Sequence, residues 1–239
     1  MEVTTGMEHE FLGMKFKIRN DKKIEIGMRK QIVEIINDFE KEGRLVTPRG
    51  VTSPAAPHLF RVNEDAEQLD GEMSEAFHST TAKLLYIIKR ARPDIETAIS
   101  FLMRRVSKSN VDDWKKLSRV VGWLKRTKND VCVIGADSLS KLFTWIDAAY
   151  AVHDNMRGHT GGVISMGYGI IHGRSGMQKI NTKSSTESEL VGVSKYIPYN
   201  LWLMMFLEAQ GYGIQDNIIF QDNKSAILME KRKKGWNET

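Results

Sequence analysis

One cysteine, Cys132, is all the chain has, which excludes an intramolecular disulfide and any zinc site built on a cysteine cluster. Long apolar runs are missing as well. No stretch reaches the roughly 18 residues needed to span a bilayer, and residues 1–10 are polar with three glutamates, so neither a membrane partner nor a signal peptide is expected. Of only five prolines, three (Pro48, Pro54 and Pro57) crowd into residues 44–73 beside Gly50, Gly71 and several acids, the composition of a long connecting segment. A strong charge of either sign is absent too. The net +5 is modest but uneven: residues 1–100 carry 15 Lys/Arg against 17 Asp/Glu, 101–128 carry 9 against 2, and 129–239 carry 11 against 11. The whole excess sits in one short segment, the footprint of a surface that tracks a phosphate backbone or, at even odds on charge alone, of a solvated helix face.

What the chain does have is 239 residues at 41% hydrophobic content, enough to bury a sizeable core and long enough to argue for two domains. Residues 11–19 alternate apolar and basic side chains, turn at Asn20-Asp21 and return over 22–28, a hairpin signature. Ile32, Ile35, Ile36 and Phe39 recur at helical spacing in a segment that ends at Gly43. Three helices are predicted next: one over 74–92 that stops at Pro93, one opened by Pro93 with Ile95, Ile99, Leu102, Met103 and Val106 on one face, and one capped by Asn110 with Trp114, Leu117, Val121 and Leu124 in phase. The last two helices and their connection carry Arg104, Arg105, Lys108, Lys115, Lys116, Arg119, Lys125, Arg126 and Lys128, giving a helical module with one basic side.

After Asp130 the pattern turns to strands. Leu142 to Tyr150 is almost wholly apolar until Asp147, and so reads as a strand covered on both faces whose acid needs a partner or a cation. Residues 160–166 and 168–174 follow as consecutive strands, implying an antiparallel meander. A helix starts near Ser185, is disturbed at Pro198 and gives way to a further helix from Tyr199; Ile218 to Gln221 then reads as a parallel strand ending at Asp222. Two strands ending in aspartate and one helix offering Glu189 are placed to bring three carboxylates to one spot. Each helix-associated acid also has a structural reading: Glu189 in a capping box with Thr186, Glu187 in one with Ser184, and Asp222 as the cap of a helix starting at Asn223. Asp154 lies in a polar turn, His78 on an apolar helix, and His153, His159 and His172 mark nothing. The basic run Lys231-Arg232-Lys233-Lys234 reads as a nuclear-import or nucleic-acid patch, or as frame loss at the end of an element.

These blocks carry a resemblance. Ser184-Ser185-Thr186-Glu187-Ser188-Glu189-Leu190 resembles the Ser-Ser-Thr-Glu-Ala-Glu-Tyr block of copia-type (Ty/copia) retrotransposon polyproteins, and Asp222-Asn223-Lys224-Ser225-Ala226-Ile227 resembles their Asp-Asn-Gln-Ser-Ala-Ile block. In the same order, Phe11-Leu12-Gly13, Leu84-Leu85-Tyr86, Arg92-Pro93-Asp94-Ile95 and Trp123-Leu124-Lys125-Arg126-Thr127 are similar to further blocks of that family, and His159-Thr160-Gly161-Gly162 matches more loosely, so the resemblance runs from about residue 11 to 230.

The resemblance implies an α+β chain: an N-terminal β-hairpin and helical thumb-like module over 1–130, the end of a reverse transcriptase palm with its thumb or connection helices, followed over 131–239 by a ribonuclease H-like mixed-sheet α/β domain truncated at its C-terminus. It implies Asp147, Glu189 and Asp222 as catalytic metal ligands for a pair of Mg²⁺ ions about 4 Å apart, with Asp147 bridging, and an RNA/DNA hybrid and the rest of the polyprotein as partners. Arg104, Arg105, Lys108, Lys115, Lys116, Arg119, Lys125 and Arg126 would then grip the nucleic acid. The family's Tyr-Val-Asp-Asp polymerase motif is absent and nothing matches its downstream His-Ile-Asp block, so no polymerisation and only impaired RNA cleavage are expected. The rivals are a non-catalytic nucleic-acid-binding or structural remnant, and, by fold analogy alone, an integrase or a phosphotransferase, the last without a phosphate-binding glycine loop to support it.

Overall fold

A computed structural model describes residues 5–41 and 50–232. The expected helix end at Gly43, part of the connecting segment and the side chains of the Lys231–Lys234 run lie outside the described residues. The chain divides into two compact units, Met1–Gly135 and Ala136–Thr239.

The first unit opens on β1 (Glu8–Phe11), β2 (Met14–Ile18) and β3 (Ile24–Gly27), antiparallel neighbours in that order. The predicted single strand over 11–19 is broken. Phe11 pairs Met14 across a two-residue turn in which Leu12 and Gly13 both take positive φ, 50° and 74°, the backbone that matches the right-handed twist of a hairpin. Leucine pays a steric cost there that glycine does not, and Tyr86 Oη donates to the Leu12 carbonyl at 2.7 Å to hold it. The alternation of the sequence could not reveal this turn, because Leu12 keeps the apolar pattern going.

Helix α1 (Arg29–Lys41) buries the four residues its periodicity marks, Ile32, Ile35, Ile36 and Phe39. Helix α2 (Gly71–Ile88) begins earlier than predicted because Asp70 caps it, accepting from Met73 N at 2.8 Å. Pro93 opens not a long helix but a single 3₁₀ turn (Pro93–Ile95), followed by the short α3 (Glu96–Leu102). Helix α4 (Val111–Arg126) starts at Asn110 with a full capping box: Asn110 Oδ1 accepts from Asp113 N at 3.0 Å while Asp113 Oδ2 accepts from Asn110 N at 3.2 Å. Phe77, Leu84, Ile87, Ile95, Ile99, Leu102, Trp114, Leu117 and Leu124 are essentially sealed from solvent, each removal from water being favourable by about 2 kcal/mol, and Phe39 stacks on Trp114 at 4.9 Å. One polar knot crosses this core. Arg92, 3% exposed, clamps Asp94 with two bonds of 2.8 and 2.7 Å and reaches the Thr127 carbonyl, while Trp123 Nε1 donates to Asp94 at 2.7 Å. Strand β4 (Cys132–Ala136) then pairs β3 antiparallel.

The second unit is a mixed sheet built on β5 (Lys141–Ala149). β6 (His159–Ser165) pairs it antiparallel, β8 (His172–Met177) extends the meander beyond the two-residue β7 (Gly167–Tyr168), and β9 (Asp216–Phe220) joins the other side of β5 in parallel, for an order β8-β6-β5-β9. Between β8 and β9 runs α5 (Ser185–Ala209), one continuous helix through Pro198. The predicted break is absent: a proline there removes one backbone hydrogen bond, but Tyr196, Ile197, Tyr199 and Leu203 on either side pack into one apolar cluster. This fold is α+β and compatible with a ribonuclease H-like α/β unit.

The expectation that β5 is covered on both faces is corrected. Leu142, Thr144, Ile146 and Ala148 are buried against α5, whereas Trp145, Asp147 and Ala149 on the other face are exposed. Among the described residues the aromatics of that face, Trp145 and Phe220, cover one another instead, stacked at 5.0 Å. On the helix side the fit is tight at Gly162, where a Cβ would lie 2.4 Å from the Tyr196 ring, and Asn200 ties α5 to the sheet through Thr144 Oγ1 at 2.7 Å and the Asn217 amide.

Candidate metal centre

Three elements deliver three acids to one place. The register explains two of them: Trp145 of β5 stands opposite Phe220 of β9, and because the strands are parallel, Asp147 and Asp222 each follow two residues later at the same end of the sheet. Ligands in open α/β sheets bind in such crevices at the carboxyl ends of strands. The third acid comes from α5, whose start is fixed by Ser184: its Oγ accepts from Glu187 N at 3.1 Å, and Glu187 Oε2 takes the Lys183 N–H at 2.6 Å. One turn on, Glu189 points at the sheet.

Ligand oxygens of Asp147, Glu189 and Asp222 all lie within 4.8 Å of one another, with Glu189 buried and the two aspartates exposed. The structural readings of these acids do not describe what they do. Glu189 makes no capping box with Thr186; its Oε2 accepts from Gln221 Nε2 at 3.1 Å. Asp222 is not the cap of α6 (Lys224–Arg232), a role taken by Asn223, whose Oδ1 accepts from Ala226 N at 3.0 Å. Burial pushes the Glu189 carboxyl above the usual range and the charges of Asp147 and Asp222 push the same way, against the Gln221 and Ala148 hydrogen bonds. Like charges this close repel until a proton or a cation relieves them. An all-oxygen donor set with two solvent-facing members fits a hard divalent cation that keeps several waters. Asp154, exposed in the loop after β5, stands outside the group. Gln221 was not singled out by sequence reasoning, although it adjoins Asp222; its role needs the fold to bring Glu189 beside it.

The basic module is less open than its charge count implies. Arg105 pairs Asp113 at 3.0 Å; Lys116, 8% exposed, bonds Asp112 and the Arg61 carbonyl; Arg119 holds Ser53; Lys125 pairs Glu40 at 2.5 Å; Arg126 donates to the Val51 carbonyl at 2.8 Å. Arg104, Lys108 and Lys115 are exposed.

Comparison with known proteins supplies a class and then particular relatives. The chain resembles parts of retrotransposon polyproteins. It is 26% identical over 232 residues to the retrovirus-related Pol polyprotein from transposon TNT 1-94 of Nicotiana tabacum, a match covering 95% of this chain and 17% of that protein. It is 23% identical over 216 residues to the transposon Ty1-NL2 Gag-Pol polyprotein of Saccharomyces cerevisiae, covering 82% of this chain and 12% of that one. A third relative, secreted RxLR effector protein 161 of Plasmopara viticola, is 27% identical over 126 residues, 52% of this chain and 89% of its own. The chain therefore spans under a fifth of the length of the two polyproteins. No family model matches it, and no solved structure does. Among the described residues no helix is long and apolar enough to cross a membrane.

Proposed function

We propose that this chain is the portion of a retroelement polyprotein that holds a nucleic acid and carries a ribonuclease H-type phosphodiesterase centre, with the RNA strand of an RNA/DNA hybrid as substrate. The observation that carries the reading is the convergence of Asp147, Glu189 and Asp222 from β5, α5 and the end of β9. Two bound Mg²⁺ ions would supply the activation of water and the stabilisation of the leaving oxygen in an in-line displacement. Asp147, Glu189 and Asp222 would together hold the cations, Asp147 from the middle of the sheet and the other two from α5 and the end of β9. Gln221 keeps the Glu189 carboxylate turned toward the other two acids. Exposed Arg104, Lys108 and Lys115 give the first unit a contact for the backbone of the substrate, and Arg105, Lys116, Arg119, Lys125 and Arg126 shape that surface rather than project from it.

Because three acids and not four converge among the described residues, slow turnover is expected. Two measurements test the reading on the purified chain. Mg²⁺ and Mn²⁺ should raise the melting temperature of the parent and not that of Asp147→Asn. A labelled hybrid should be cut slowly, with Mn²⁺ more effective because it tolerates altered oxygen coordination better. Equal thermal responses in parent and variant, or cleavage undiminished by Asp147→Asn, would sink the assignment.

A further inference from the structure

The first unit holds a groove of about 760 Å³, within the size range of small-molecule sites, that plays no part in the carboxylate centre. One wall is a single face of the β1–β2–β3 sheet. The register sets Glu8 opposite Lys17, Glu10 opposite Lys15, Lys15 opposite Gly27 and Lys17 opposite Glu25, so all of these share that face. The start of α1 forms the other wall, and Lys128, Asn129 and Val131 complete the lining. The groove is held in shape from both sides: Arg29 Nε donates to Asn129 Oδ1 at 2.8 Å, and β4 pairs β3 directly after Val131.

Two features define what fits. The first is an unmet acceptor: Gln31 Oε1 is buried, and nothing among the described residues donates to it. A glutamine at the third position of a helix can reach back to the cap N–H, but this amide lies against the Leu12–Gly13 turn, where a Cβ on Gly13 would collide with its Nε2. Since no hydrogen bond holds the oxygen in place, the amide is free to turn about its soft last torsion. Beside it the backbone N–H groups of Arg29, Lys30 and Gln31 have no acceptor within the helix, whose first bond runs from Ile32 N to the Met28 carbonyl at 3.0 Å. The second feature is charge balance. Lys15, Lys17, Arg29, Lys30 and Lys128 are answered by Glu8, Glu10, Glu25 and Glu34, five against four, and Glu8 holds Lys15 at 2.9 Å. Such a rim does not select an anion. Most of the remaining lining is apolar or bare backbone: Met28, Val33, Val131, which is 43% exposed, Gly13 and Gly27.

We propose that this groove binds a small, flat, uncharged heterocycle with a lactam edge, its N–H donating to Gln31 Oε1, its carbonyl facing the first-turn amides of α1 and its ring lying on Val33 and Val131. An N–H beside a C=O matches an acceptor beside donors, and donation to Gln31 removes the penalty of a buried oxygen without a partner. The apolar ring needs no charge of its own, and the balanced rim favours none. The site lies wholly in the first unit and is independent of the carboxylate centre and of its reading.

The test titrates the full chain, by ligand-observed NMR, with the bicyclic lactam carbostyril and with its N-methyl derivative, which lacks the N–H. The parent should bind carbostyril with a Kd on the order of 1 mM and the methylated compound about tenfold more weakly. Gln31→Leu, which removes the unmet acceptor, should not lower the melting temperature and should erase the difference between the two compounds. Val131→Glu, at a side chain already exposed, should weaken both at an unchanged melting temperature. Equal binding of the two compounds by the parent, a preference that survives Gln31→Leu, parental affinity in Val131→Glu, or no binding of carbostyril at its solubility limit would each overturn the site. Competition by oligouridylate as strong as that by carbostyril would overturn it too, because the lactam would then belong to a nucleic acid base and not to a free small molecule.

Discussion

The two units treat charge differently. In the first, cations and anions answer each other within the fold: Arg92 with Asp94, Arg105 with Asp113, Lys116 with Asp112, Lys125 with Glu40. The second has one such pair, Lys141 with Asp216 between β5 and β9, but there three acids also gather at one place. Opposed charges in contact serve the fold that contains them. Like charges held together raise the energy of the isolated chain and are relieved by something outside it, so a cation is to be sought in the second unit.

Charge substitutions should therefore act with opposite sign in the two units. The largest effect is expected at Asp94. Burial pushes its carboxyl up, but the Arg92 guanidinium and the Trp123 N–H outweigh this and hold it below its ordinary value. Asp94→Asn leaves Arg92 buried without a counter-charge, but the Asp94 carboxylate is itself more than a third exposed, so chemical denaturation at neutral pH should show a loss of about 1 to 2 kcal/mol. Since the folded-state value is depressed, the contribution of Asp94 is fully present above the ordinary aspartate range and is lost as pH falls through the depressed value. The gap between parent and variant should accordingly close only in strong acid. A constant gap down to that range would mean that packing, not charge, is responsible.

A smaller and opposite change is expected at Glu189. Its carboxyl is raised in the fold, so the metal-free chain is penalised as pH rises from the ordinary glutamate range through the raised value. Glu189→Gln should raise the melting temperature in EDTA at neutral pH and lose that advantage in acid, while giving up the response to Mg²⁺. A drop in melting temperature on this substitution would break the contrast between the units. The smallest effect separates two adjacent lysines: Lys115→Ala should lower the salt slope of hybrid binding by less than 1 without altering stability, whereas Lys116→Met should alter stability and leave the slope alone. Equal slopes for parent and Lys115→Ala would remove the first unit from the substrate surface.

Much of this was legible before the fold was seen. The face of α1, the Asn110 cap and the parallel placement of the strand before Asp222 followed from periodicity and cap chemistry, which are local. The convergence of Asp147, Glu189 and Asp222 was inferred from blocks far apart in sequence, and it needed the register Trp145 opposite Phe220 to become geometry. What escaped was what depends on neighbours. Leu12 hides a turn inside an alternating pattern, Pro198 sits harmlessly in a helix packed on both sides of it, and Trp145 is as apolar as Ile146 although only one of them is covered. The basic segment depends on neighbours in the same way: nine positive residues stand against two negative, and the partners of Lys125, Arg119, Arg126 and part of the Lys116 shell lie 55 to 85 residues earlier in the chain.

Strand β9 sets how the carboxylate cluster is maintained in time. It is an edge strand exposed along its whole length, held by its ladder to β5, the Phe220 stack and the Asn217–Asn200 amides. Segments of this kind open at a cost well below that of global unfolding, and when β9 peels away it carries Asp222 with it. The lifetime of the cluster would then be limited by the opening of this ribbon together with α6, whose Ala226 is fully buried. That lifetime would be readable in the exchange of the β9 amide protons, and a cation bridging Asp147 and Asp222 would act on that clock as a latch.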